Sequence, residues 1–477
     1  MQRIFAGFLL LSFATSAWAT DGVVGPGNCD ESGFDSVLAA VDGSGGGTIT
    51  FDCGLATIPF TSYKMVANAV TIDGADLITF DGGNTSGLFQ IFASADARLE
   101  RLTLKHGVFN GSHAIENFGT LTLDGVHVSD NSSTESPVVN NGTLNIWSST
   151  FSGNALSNPT GVGGAISQLN GDLNISYSTF SANHGFDGGA IYIDAGSGPV
   201  RIAHSIFSAN MAGYGGAIET WAADVQIASS FFDGNGAQSG DGGAIWSMAG
   251  QLVVNFSEFV DNTAATTGGA ISCYGDIMNV INSAFAANEA DTNGGGIYST
   301  CAFSTLNVTF NGNTAPNGGG GAIYQSSATD AVVTFATVAD NEAIFGGGLY
   351  NDGGNTGVMH VGNSIVSENA GGNCDGVLAS NGYNLSNDMG CGSAFTGPGD
   401  VLNASLPLLG LANYGGPTST RPPDAGNPAI DHVPNASCGF PADQRGAPRP
   451  TGPACDSGAV EVGGIIDLIF ADGFDAF

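Results

Sequence analysis

The sequence predicts an all-β solenoid, a parallel β-helix of about 12 coils, and three observations carry that expectation. A Gly-Gly-Ala-Ile-like unit recurs, ending at Ile166, Ile191, Ile218, Ile245, Ile271, Ile297, Ile323 and Leu349, at intervals of 25 to 27 residues. A second register, Phe/Val-x-x-Asn, runs between these units at Val128/Asn131, Phe151/Asn154, Phe180/Asn183, Phe207/Asn210, Phe232/Asn235 and Phe259/Asn262. It continues at Phe285/Asn288, Phe310/Asn313, Val338/Asn341 and Val366/Asn369. The stretches between are short and alternating, as in Leu173-Asn174-Ile175-Ser176-Tyr177 and Leu252-Val253-Val254-Asn255-Phe256, which is strand patterning broken by Gly, Asn, Ser and Asp turns. Helical repeats are excluded, because each paired glycine would cost about 1 kcal/mol inside a helix. Leucine-rich repeats share the period but need several leucines and an Asn in another frame.

The elements follow in chain order. Residues 1–19 read as a signal peptide: Arg3 is the positive end, Ile4 to Ala14 is mostly apolar, and Ala17-Trp18-Ala19 fits the small-x-small cleavage rule. The apolar run is too short to span a membrane. Residues 20–48 are expected to cap the solenoid, with a helix over 30 to 42 whose Phe34, Val37, Leu38 and Val41 share one face. Ser32 followed by Asp35 resembles a capping box. Cys29 and Cys53 flank this segment and are placed to tie it to the first coil.

Residues 49–370 form the solenoid, and at about 4.8 Å per coil it would be a rod of roughly 60 Å. Its phenylalanines, Phe180, Phe207, Phe232, Phe259, Phe285 and Phe310 among them, are expected to stack in one buried column. The asparagines three places later (Asn183, Asn210, Asn235, Asn262, Asn288 and Asn313) would form a second, hydrogen-bonded one. The Gly pair supplies positive φ or close approach at a corner. Cys273 and Cys301 fall one coil apart, either as a bridge between coils or as two buried thiols.

The paired signatures Phe-x-x-Asn and Gly-Gly-Ala-Ile, over about 115 to 370, resemble the repeats of polymorphic outer membrane proteins. That resemblance implies a right-handed, single-stranded parallel β-helix of the pectate-lyase-like superfamily, displayed as an adhesin-like rod on a Gram-negative surface. Those proteins end in a translocator barrel of alternating strands of about ten residues, and nothing after Asn369 reads that way. Instead, residues 371–461 carry Asn381-Gly382-Tyr383-Asn384-Leu385, Asn413-Tyr414-Gly415-Gly416-Pro417, Asp443-Gln444-Arg445-Gly446, Arg449-Pro450 and Cys455-Asp456-Ser457-Gly458. This succession resembles the choice-of-anchor Q domain, a module that follows β-helix repeats in bacterial surface proteins. Within it Cys374 pairs with Cys391, and Cys438 with Cys455, by proximity. The tail, 462–477, is apolar and acidic and reads equally as a sorting signal or a final strand.

Composition limits the function. With 9 Lys+Arg against 43 Asp+Glu, the formal charge is −34, which argues against nucleic acid or anionic membrane as a partner. Lyase chemistry on a uronate polymer needs a cation and a base, yet the only Lys or Arg between 115 and 370 is Arg201. Asp187 and Asp241 occupy matching turn positions two coils apart, with Tyr214 between them. That is marginal for glycoside hydrolysis, so these aspartates are expected to be solvated turn formers. The seven histidines show no metal-ligand spacing. Acidic turns suit calcium, although the nonapeptide calcium repeat is absent. The expectation is thus a monomeric, non-catalytic exported rod without a resident cofactor, secreted or held at an outer surface, with glycans or surface proteins as partners. Its alternative is a polysaccharide-acting hydrolase or lyase. No carboxylate cluster is expected between 115 and 370.

Overall fold

The computed structural model describes residues 19–108, 113–158, 160–222, 224–353 and 357–465. Residues 1–18, most of the expected signal peptide, and residues 466–477 of the tail lie outside the described residues. The chain is a parallel β-solenoid. Most coils contribute one strand to a thirteen-strand sheet and two to a 25-stranded sheet, the two being fused into one long strand in coils such as Ala302–Asn311 and Ala331–Ala339, and six coils add a strand to a short ladder. In one coil these are Ile245–Ser247, Gln251–Asn255, Glu258–Val260 and Thr263–Ala264. Every one pairs in parallel with its counterpart a coil later. The thirteen rungs, from Lys64–Val66 to Cys374–Gly376, agree with the expected count of about 12 coils, and pairing in the larger sheet extends beyond both expected ends. Gly22–Val24 already pairs with Ile49–Phe51, and the ladder runs past residue 370 through Cys374–Gly376, Leu378–Gly382 and Leu385–Ser386.

Alternation explains the packing: in Gln251–Asn255 only Leu252 and Val254 are buried, and they face the core. The phenylalanine column is present. Phe151, Phe180, Phe207, Phe232, Phe259, Phe285 and Phe310 are fully buried, with successive ring centroids 4.7–4.9 Å apart and planes within 16°. This spacing is the coil pitch itself. Beside it runs the asparagine ladder. Asn235 Nδ2 donates to Asn262 Oδ1 at 2.9 Å and to the Phe207 carbonyl at 2.9 Å, while Asn235 Oδ1 accepts from Asn210 N and Nδ2. The arrangement repeats from Asn131 to Asn369, so each buried amide is satisfied by its neighbours.

A third column was not anticipated. Ser149, Ser178, Ser205, Ser230, Ser257 and Ser283 are buried two residues before the column phenylalanines, and the hydroxyl of each accepts from the backbone N–H of the previous coil's serine or equivalent. The motif is therefore Ser-x-Phe-x-x-Asn.

The corners carry a second left-handed position besides the expected glycine pair. The first glycine of the pair has positive φ, as at Gly215 (56°). The residue before each ladder asparagine is left-handed too, and it is often not glycine: Ala182, Ala209, Asp261, Ala287 and Asp340 have φ of 52–58°. The asparagine hydrogen bonds hold these corners against the ordinary penalty of about 1–2 kcal/mol.

The N-terminal end is closed by helix α1 (Glu31–Gly43), which buries Phe34, Leu38 and Val41. Its N-cap is Asp30, whose side chain accepts from Gly33 N, rather than the Ser32 of the expected capping box. Lys64, 4% exposed, anchors α1 to the rod through Glu31 at 2.6 Å and Asp35 at 2.8 Å. Burial works against it, but Lys64 with Thr61 and Ser62 holds the Glu31 carboxyl down at about 2.

All eight cysteines are bridged: Cys29–Cys53, Cys273–Cys301, Cys374–Cys391 and Cys438–Cys455, with Cα–Cα distances of 5.8, 5.9, 4.8 and 6.0 Å. Cys273–Cys301 joins neighbouring coils.

Beyond residue 386 the chain folds back along the outside of the rod. Gln444 meets Thr309 at 2.6 Å, Asn307 donates to the Ala442 carbonyl, and Arg421 pairs with Asp340 and with Glu368. Arg449, its side chain fully buried, lies over the Phe335 ring at 4.0 Å and beside Glu461 at 3.5 Å. Asp443-Gln444-Arg445, Arg449 and Asp456 to Glu461, scattered in sequence, thus converge into one buried polar knot. Burial raises the Asp456 carboxyl to about 6 within it.

Candidate functional site

The middle residue of each three-residue strand in the thirteen-strand sheet points outward, because its two neighbours face the core. Register stacks these positions coil on coil: Tyr192, Glu219, Trp246 and Ser272, then Tyr298, Tyr324 and Tyr350. Tyr274 reaches back where Ser272 is short. The result is a chain of rings, Trp246–Tyr274 at 5.8 Å, Tyr274–Tyr298 at 5.5 Å, Tyr298–Tyr324 at 5.4 Å and Tyr324–Tyr350 at 5.0 Å. Trp221 joins it 5.0 Å from Trp246. Each of these rings is half-buried or exposed.

Carboxylates punctuate the strip. Asp241 accepts from the Tyr274 hydroxyl at 2.8 Å and from Thr267 N at 3.0 Å. Asp352 accepts from Ser326 at 2.7 Å and from the Tyr324 hydroxyl at 3.3 Å. Burial, with Asp241 and Asp352 beside them, pushes the Tyr274 and Tyr324 hydroxyls upward, and burial with Asp194, Glu219 and Asp187 nearby pushes Tyr192 to about 12.

Asp187 and Asp241 are two coils apart, since Asp187 aligns with Tyr214 and Tyr214 with the next coil, so the structure does not bring that pair together. Asp187 instead faces Glu219 on the neighbouring coil. This corrects the expectation that Asp187 is a solvated turn former. Glu219 is 4% exposed, with Trp221 Nε1 donating to its Oε1 at 2.9 Å. Its Oε2 and Asp187 Oδ1 are buried without a donor. Burial, then the charge of Asp187, raises the Glu219 carboxyl to about 8, and burial raises Asp187 as well. Near neutral pH the pair holds one proton between two oxygens that otherwise lack a partner. The signal was present in the sequence, in that Glu219 occupies an outward strand position one coil after Asp187, but only Asp-Gly-Gly turn positions had been compared.

A sign follows for stability. Glu219 titrates near 8 in the fold against an ordinary 4.5. Its contribution is therefore fully present below pH 4.5, is lost as pH rises toward 8, and is constant above that. Glu219→Gln supplies an amide donor in place of the shared proton and does not titrate. Its melting temperature should match the parent near pH 4.5 and exceed it at pH 8, by an amount worth on the order of 2 kcal/mol. Paired melts at the two pH values check this, and a constant offset would contradict it.

The two carboxyls are in hydrogen-bonding contact, closer than the separation of about 5 Å or more that glycoside hydrolysis needs. The pair can donate and accept hydrogen bonds to a neutral polar ligand, and the rings offer faces and edges beside it. Among the described residues no three His, Cys, Asp or Glu side chains converge as a metal site, and no helix is long and apolar enough to cross a membrane.

Two coils resemble a known repeat. The family model of the Chlamydia polymorphic membrane protein repeat matches residues 256–274 and 307–326. Each match spans a Phe-x-x-Asn corner and the Gly-Gly-Ala-Ile unit that follows, Phe259 to Ile271 and Phe310 to Ile323. The matched residues are thus those that build the buried columns and the glycine corner. No curated protein and no solved structure matches the chain.

Proposed function

We propose that this protein is an exported β-helix rod at the outer surface of a Gram-negative bacterium, which binds or supports and does not catalyse. The observation that carries this reading is the polymorphic membrane protein repeat matched on two coils of an uninterrupted solenoid. A leader over 1–19 would export it, and the region 371–461, in the role of a choice-of-anchor Q module, would sit between the rod and its attachment. The charge of −34 would keep such rods apart at low salt as monomers. Fractionation of the native host with an antibody tests the proposal. Labelling of intact cells, removed by external protease, is the expected result; antigen confined to the cytosol overturns it.

The second reading, a polysaccharide-cleaving enzyme, is favoured by one observation, the raised Asp187–Glu219 pair. Against it stands the pair's close contact. A reducing-end assay over a glycan panel distinguishes the two, and product formation lost in Glu219→Gln would establish the enzyme. Calcium remains a proposal of the acidic turns, to be read from a melt with and without EDTA.

A further inference from the structure

We infer that the outer face of the thirteen-strand sheet from Glu219 to Tyr350 is a binding track for a neutral, extended polysaccharide, lying across the coils on Trp246, Tyr274, Tyr298, Tyr324 and Tyr350. This rests on the reading of the rod as a surface binder and names its ligand class. Four features support it.

The rings repeat at 5.0–5.8 Å, comparable to the rise of one sugar along an extended glycan, so successive sugars meet equivalent rings. Two of these rings, and Trp221 beside them, carry hydrogen-bonding groups already fixed in place: the Tyr274 hydroxyl by Asp241, the Tyr324 hydroxyl by Asp352, and the Trp221 indole by Glu219. Half-buried aromatic rings edged with fixed hydroxyls and carboxylates suit polyols, which carry C–H faces and O–H rims. Glu219 lies in line between Tyr192 and Trp246, so its hydrogen bond from the Trp221 indole sits at the upstream end of the strip.

Charge selects among glycans. No outward position from Tyr192 to Tyr350 carries Lys or Arg, and the chain is at −34. Uronate or sulfated polymers would be repelled. A peptide adding a strand finds no edge along this face, because each strand is paired on both sides by its own coils. The C-terminal region is seated elsewhere, on Asn307, Thr309, Phe335, Thr337 and Asp340 of the large sheet and its corners.

The test is native-gel retardation by a soluble mixed-linkage β-glucan, a galactomannan and hydroxyethylcellulose, with polygalacturonate as the anionic probe. At least one neutral polymer should retard the protein and shift the tryptophan emission, and polygalacturonate should not. Trp246→Ala and Tyr298→Ala should each weaken retardation about tenfold with melting temperature kept as the control for folding. Trp147→Phe and Tyr177→Ala, an exposed ring pair elsewhere on the rod, should leave retardation unchanged. No retardation by any neutral polymer, equal retardation by polygalacturonate, or folded Trp246→Ala and Tyr298→Ala proteins that bind as the parent does would overturn the track. A surface-exposed protein that binds none of the polymers refutes the track alone, whereas binding by a protein found only in the cytosol refutes the surface reading alone.

Discussion

Asn235→Ala should lower the unfolding free energy by about 3–5 kcal/mol, although it removes only a small uncharged side chain. Asn235 is fully buried and serves two coils at once. Its Oδ1 takes Asn210 N at 3.1 Å and Asn210 Nδ2 at 2.9 Å, and its Nδ2 serves the Phe207 carbonyl and Asn262 Oδ1. Truncation removes an acceptor from one coil and a donor from two buried oxygens, in a close-packed core. Each orphaned group costs about 1–3 kcal/mol. The left-handed corner at the next coil, Asp261, depends on the same ladder. Urea denaturation should show the transition moving to lower concentration. Asn174→Ala serves as the comparison: it also loses an inter-coil amide contact, to Asn145 at 3.0 Å, but on the half-exposed outer face. It should cost about 0.5 kcal/mol or less. Equal effects at the two positions would mean that the buried ladder is not what holds the coils.

The fold was legible because a solenoid writes its geometry into the sequence once per coil. Phe232 and Asn235 recur in register with Phe259 and Asn262 since each must meet its own copy about 4.8 Å away. Ser230 and Ser257 recur just as strictly and were overlooked, because serine is common in turns and its burial shows only once the strand direction is known. The ends were misjudged for a related reason. Gly22–Val24 and Leu378–Gly382 pair in the ladder without carrying either signature, so a motif count stops short of them. The knot of Asp443, Arg445, Arg449 and Glu461 was visible only as separate motifs, since its members meet by a return of the chain that no local pattern encodes. The outward strip was the least legible. Its positions vary between coils, Tyr192, Glu219, Trp246 and Ser272 in succession, and a tyrosine repeats only at Tyr298, Tyr324 and Tyr350, so no signature runs its whole length. Freedom from the structural repeat is also what allows that face to carry a specific function.

Gly216→Ala should destabilise the rod by about 3 kcal/mol or more, and a neighbouring glycine shows why the site decides the cost. A Cβ on Gly216 would sit 2.1 Å from the Gly243 carbonyl oxygen, 2.5 Å from Gly236 N and 2.6 Å from Gly236 C. All three are backbone atoms of the next coil, so no side chain can rotate away. Relief requires the coils to separate where Gly216 N bonds to the Gly242 carbonyl at 3.1 Å. The same contact recurs at Gly189, Gly243, Gly269 and Gly295, so a local separation cannot be absorbed by sliding one coil. Gly234 is the control: its φ is 60°, yet nothing lies within 4 Å of an added Cβ. Gly234→Ala should therefore cost only the left-handed backbone penalty of about 1 kcal/mol. Denaturant midpoints for the two alanine variants separate steric exclusion from conformational preference. If Gly234→Ala proves as damaging as Gly216→Ala, positive φ rather than close approach is what the glycine corners protect.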